Sequence, residues 1–188
     1  MSSPSHFLPD PVSPRDLAHR RTVTLQAFRR EDGNLDLEAI LEDVKPTDVE
    51  TVLRKYPGGV PIHLMAVRLT VDRSFQVIGA LAAVIRAPFT GVCKGVEPSL
   101  ERLVGTNLLK GFRREVADRI GPTERCTHVS ELLTLLPTLV IQASVPSTPS
   151  TEVDQRAPAQ LDRCRGWRAD GEAVRVAYPK WHRPQGVE

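Results

Sequence analysis

Aromatic residues make up only 5% of this 188-residue sequence, which argues against a surface that stacks nucleobases. Cysteine is scarce as well: an odd three residues cannot form a fully paired disulfide framework within one chain, and the length allows a core without covalent staples. Reduced thiols are the simplest reading. No run approaches the roughly 18 apolar residues that a membrane helix needs, and the opening MSSPSHFLPDPVSPRD lacks a basic segment followed by an apolar one. Neither secretion nor membrane spanning is expected, and the cytoplasm is the expected compartment. A charge excess is missing too, since 25 Lys and Arg against 23 Asp and Glu leave +2, no polycationic footprint for nucleic acid.

What is present, 40% hydrophobic and 26% charged residues, fits an ordinary globular domain with tails. Of the 25 basic residues, 20 are arginine, a bias that serves anion contacts and that GC-rich coding also produces. Residues 1–18, rich in Pro and Ser, read as a flexible leader, 19–144 as the core domain, 145–158 as a Pro/Ser/Thr linker, and 159–188 as a tail packing on the core.

Alternation predicts a hairpin from Arg21 to Lys45, with Val23, Leu25 and Ala27 facing one way and Asp32-Gly33 supplying the positive φ of the turn. Leu35, Leu37, Ala39 and Leu41 continue the pattern, while Asp32, Asp36, Glu38 and Asp43 read as a solvated acidic face. Lys45-Pro46 to Gly58-Gly59 is read as a connector with a helical turn over residues 48–55, on which Val49, Val52 and Leu53 share a face. Strands follow at Ile62–Val71, with His63 in phase with Met65, Val67 and Leu69, and at Phe75–Ile85. Past Cys93 the period becomes helical: Leu100–Val104, then Leu108 to Ile120, then Thr127 to Ile141, which Pro137 should kink or end. Strands before helices give an α+β fold, an antiparallel sheet with about three helices on one face. The tail, with Asp170-Gly171 and the alternating Val174, Val176 and Tyr178, reads as hairpin-like.

The chemistry-bearing residues are His63, Cys93, Cys126, His128 and Cys164. Thiolate and imidazole are the donors that zinc and iron centres use, and Cys126-Thr127-His128 stands at an expected helix start, where free N–H groups favour thiolate. Their spacing matches no zinc-finger pattern, and isolated cysteines also serve as small buried hydrophobes. Arg21, Arg29 and Arg30 cluster at the first strand and can bind a small acidic ligand.

Several of these segments resemble a bacterial family known only as a domain of unknown function: His19-Arg20-Arg21, Phe28-Arg29-Arg30-Glu31-Asp32-Gly33, Asp43-Val44-Lys45, Pro61-Ile62-His63, Gly91-Val92-Cys93, Cys126-Thr127-His128 and Tyr178-Pro179-Lys180-Trp181. Membership implies no activity. Leu64 and Arg165 depart from that family's usual Asp and His. The order of the His63, Cys93 and Cys126-His128 segments is also similar to iron–sulfur cluster scaffold proteins of the IscU and SufU type. Only Cys93 and Cys126 match those proteins in residue type, and His63 stands where a scaffold cysteine would be, which argues against cluster assembly and leaves a zinc or other mononuclear metal site open.

The leading expectation is a protein that binds zinc or iron through Cys93, Cys126 and a histidine, His63 or His128, with Cys164 as a fourth ligand delivered by the tail. One alternative is a metal-free enzyme with Cys126 as nucleophile beside His128. The other is a non-catalytic interaction protein using the tail tryptophans. No partner can be named from the sequence, and neither membrane nor nucleic acid is expected.

Overall fold

Ten-residue strands with apolar residues at every second position have one face to bury, and the chain buries it by folding back on itself repeatedly. The computed structural model describes residues 7–52, 54–144 and 157–184. Strands β1 (Arg20–Arg29), β2 (Leu35–Val44), β5 (Pro61–Val71) and β6 (Val77–Arg86) form an antiparallel sheet in the order β1-β2-β5-β6. The short β3 (Val49–Glu50) and β4 (Lys55–Tyr56) pair with each other in the β2–β5 connection. The β1–β2 turn takes its left-handed residue at Gly33, φ +84°.

Register stacks the inner face in rows: Ala27, Leu37 and Leu69, then Leu25, Ala39 and Val67, then Val23, Leu41 and Met65. The β2 and β5 members of these rows are fully or almost fully buried. The next row in the same phase is polar, Arg21, Asp43 and His63. The apolar core therefore ends in a row of charge and imidazole at one end of the sheet.

Helix α3 (Thr127–Ser144) lies across β1, β2 and β5, burying Val129, Leu132, Leu133, Leu136 and Val140 at helical spacing. It runs through Pro137 rather than stopping there, because Leu136 and Val140 on either side of the proline are both fully buried in the core. Their burial offsets the roughly 3 kcal/mol that an interior proline costs. A 3-10 segment, Pro98–Leu103, covers β6, while α1 (Thr90–Cys93) and α2 (Phe112–Arg119) complete the layer. None of the described helices is long and apolar enough to cross a membrane.

Four local readings change. The second helix begins only at Phe112, because Leu108 N–H donates to the Phe75 carbonyl beside the Gln76–Asn107 bridge. Residues 48–55 form no helical turn but the β3–β4 hairpin, closed by bonds between Thr51 and Arg54 and tied down by Gly58 N–H donating to Asp48; Leu53 lies outside the described residues. Phe75, at φ +64°, belongs to the turn before β6, where the Asp72 carboxylate accepts from the Ser74 and Gln76 N–H groups. The tail is helical rather than a hairpin, with a 3-10 turn at Arg165–Trp167, α4 (Glu172–Ala177) and a second turn at Pro179–Trp181. The apparent alternation there is a helical one: Val174 is buried, Val176 is exposed, and Tyr178 N–H closes back onto the Val174 carbonyl. Arg163 links this tail to the body through the Leu109 carbonyl. Of the leader, residues 1–6 lie outside the described residues, as do 145–156 of the linker.

Leu41 is fully buried between Val23 and Met65 in the last apolar row. Leu41→Ala is expected to cost about 2–5 kcal/mol in urea denaturation, and a loss below about 1 kcal/mol would show that this row does not carry the core.

Candidate metal centre

The polar row faces the start of α3, which brings His128 down onto it. Asp43, 1% exposed, is the centre of the arrangement. Arg21 grips it with two hydrogen bonds, Nε to Oδ1 and Nη2 to Oδ2, both 2.8 Å, and reaches Glu131 on α3 with its third nitrogen at 2.6 Å. His19 Nε2 lies 2.9 Å from Oδ1. His63 Nδ1 lies 3.2 Å and His128 Nε2 3.6 Å from Oδ2. The two imidazoles face each other with ring centroids 4.1 Å apart.

Burial would push the Asp43 carboxyl up, but the hydrogen bonds from Arg21 and His19 outweigh it and hold the group down at about 2. Asp43 is therefore a buried carboxylate at all ordinary pH. Burial pushes His63 below the usual imidazole range, helped by His128 and opposed by Asp43. Burial and the Arg21 charge do the same to His128, opposed by Asp43 and Glu131. The site thus holds one anion and two neutral rings, the protonation states in which these groups ligate metals.

Among the described residues, Asp43, His63 and His128 bring one ligand atom each to within 4.8 Å of the others. Bonds of about 2.0–2.2 Å set neighbouring donors on a tetrahedral metal about 3.3–3.6 Å apart, and the two histidine–carboxylate separations, 3.2 and 3.6 Å, lie close to the two ends of that range. Oδ2 has room for such a bond: it accepts from Arg21 Nη2, and metal would replace the two imidazole contacts once each ring turns a lone pair inward.

The cysteines stand in different relations to this group. Cys126, whose carbonyl accepts the first bond of α3 from Ser130, has its sulfur 3.7 Å from His128 Nδ1 and 3.9 Å from Met65 Sδ. Cys93, at the end of α1, lines the same open cleft of about 690 Å³ as His63, Cys126 and His128. Cys164 is exposed in the tail and is not among the residues lining the cleft. Neither Cys93, Cys126 nor Cys164 enters the close group. Four of the five singled-out residues do share one cleft, and Asp43 is the member missed. Its signal lies in the sequence: position 43 is in phase with Leu37, Ala39 and Leu41, so a carboxylate there points into the core rather than to water.

Residues 19–142 match the family described as protein of unknown function, DUF2889. The chain belongs to this family. The match spans the sheet, the cleft and nearly all of α3, and it excludes the tail that carries Cys164. No curated protein and no solved structure matches the chain. Of the two departures noted above, Leu64 of this DUF2889 chain is paired with Glu42, on the opposite face of β5 from His63, and Arg165 is in the tail, so neither alters the Asp43 cluster.

The three arginines read as one anion site are each engaged inside the fold and do not converge. Arg21 serves Asp43 and Glu131, Arg29 donates to the Ala143 carbonyl near the end of α3, and Arg30 pairs with Asp32 and Asp36 in the first hairpin. Their strand positions bring them against acidic or carbonyl partners, so their charge holds elements together.

The depressed Asp43 contributes stability that is complete above its ordinary value of 3.8 and is lost as pH falls through about 2. That contribution amounts to about 2 kcal/mol. Asp43→Asn is expected to lower stability by this much at neutral pH in chemical denaturation, with the gap to the unsubstituted chain closing in strong acid. His63 and His128 act in the same direction at higher pH, since the unfolded chain takes up their protons first. An Asp43→Asn variant as stable as the parent at neutral pH would contradict the paired geometry.

Proposed function

We propose that this DUF2889 protein binds a transition metal, zinc or iron, at the Asp43, His63 and His128 cluster. The convergence of a buried carboxylate and two neutral imidazoles at ligand separations, on the wall of an open cleft, carries the reading. A two-histidine, one-carboxylate set suits iron(II) or zinc and leaves positions free for exogenous ligands. His19 on Oδ1 and Arg21 across both oxygens hold Asp43 in place and keep it ionised. Cys126 and Cys93, on the same cleft, are available as further donors. A bound metal would supply Lewis-acid or redox chemistry to whatever occupies the cleft.

A second reading follows from Cys126. Its sulfur faces one nitrogen of His128 while the other faces Asp43, the order thiol, imidazole, carboxylate of a nucleophile activated by an oriented base. In that case the chain acts on small molecules without a metal.

Elemental analysis of protein purified without a metal-affinity tag, followed by zinc and ferrous titrations, separates the two. The metal reading expects about one ion per chain, and it expects His63→Ala or His128→Ala to weaken binding by more than the roughly 10- to 100-fold that losing an outer-sphere partner costs. No uptake of either ion by the unsubstituted chain would end it. A metal-free chain whose Cys126 alkylates faster than Cys93 and Cys164, and slows in His128→Ala, belongs to the second reading.

A further inference from the structure

The cleft over the cluster has an uneven lining. Its floor is His63, Met65 and His128. One wall is apolar, formed by Pro88, Phe89, Val92 and Val96, and of these Phe89 is 54% and Val92 82% exposed. Uncovered apolar area of this kind costs about 25 cal/mol per Å² relative to contact with an apolar group, so the wall gains from an apolar occupant. The lining also carries the charged residues Arg102, Glu124 and Arg125. Arg102 is committed to Glu124 through two bonds of 2.7 Å. The Arg125 guanidinium has no hydrogen-bond or ion-pair partner among the described residues.

Arg125 also lines the small groove between α2 and α3, beside Arg113 and Ser130. The Arg113 guanidinium likewise has no partner among the described residues. Among the described residues, neither guanidinium is therefore paired with a carboxylate. A single guanidinium fork matches the two oxygens of a carboxylate.

We infer that the cleft binds a small organic carboxylate, its head on Arg125 and its apolar body against Phe89 and Val92. This extends the metal reading of the same cleft and rests on it for what happens at the floor: a polar group at the far end of the body would meet the ion there. The acidic ligand expected from the sequence thus has its arginine at position 125 rather than at positions 21, 29 and 30.

The experiment is a binding titration of the full chain with hexanoate and with hexanol, followed by amide shifts, on the protein as purified and again after zinc saturation. Hexanoate is expected to bind at least tenfold more tightly than hexanol in both preparations. Arg125→Ala should remove that difference, Arg125→Lys should keep part of it, and Val92→Ser should weaken both ligands together. Both side chains, Arg125 and Val92, are exposed, so folding is not at stake. Hexanoate binding no tighter than hexanol, or binding that needs zinc and His63 while ignoring Arg125→Ala, overturns the carboxylate assignment. Failure of the metal reading shows separately, as no zinc uptake, and leaves the Arg125 comparison readable in the protein as purified.

Discussion

The ion pair between Arg21 and Asp43 is the contact on which the rest of the cleft depends. It closes the open end of an otherwise apolar sheet face, it joins β1 to β2, and through Glu131 it fixes the start of α3. A buried carboxylate is costly unless paired and hydrogen-bonded. Asp43 meets that requirement with a bidentate guanidinium and a histidine from the segment before β1. The groups left on its second oxygen are imidazoles, so the solution to a desolvation problem also gathers the donors of a metal site.

That arrangement separates support from reactivity. Arg21 and His19 approach from the β1 side, where they hold the carboxylate and, through Arg21, the Glu131 side chain of α3. His63 and His128 approach on the cleft side, where His63, His128 and Cys126 can also meet a ligand. Burial keeps both rings uncharged beside an anion, so their basic nitrogens stay available. The long helix contributes twice, with an apolar stripe that covers the sheet and with a first turn that carries His128 to the polar row.

Much of this was legible in the sequence because strand alternation is a strong signal. The four long strands, an antiparallel sheet and the helices after it are legible in the alternation around Val23, Leu37 and Met65 and in the helical spacing around Leu132. The phase of His63 with Met65 was read correctly, and that placed it on the inner face. Asp43 was misread because an acidic residue in an acidic strand looks solvated by composition, although its phase says otherwise. Arg21 was misread for the complementary reason: its charge was noted and its phase with Val23 and Leu25 was not. The tail failed because three residues with alternating polarity do not tell a strand from a single turn of helix, and contact with the body decides. Pairings such as Arg102 with Glu124, which leave Arg125 open, depend on loop geometry that no local pattern encodes.

The placement of Arg21, Asp43 and His63 in one row has a consequence for how the chain can go wrong. Side chains in a strand alternate between faces, so sliding β2 by one residue against its neighbours would turn Asp43 outward and Glu42 inward. Such a molecule would strand Arg21 without its carboxylate and His63 without its anchor, while Leu37, Ala39 and Leu41 left the core together. Misaligned chains therefore cannot persist as nearly correct proteins with an idle cleft. The same step that spoils the cluster unpacks the domain, so core packing and site geometry depend on one alignment.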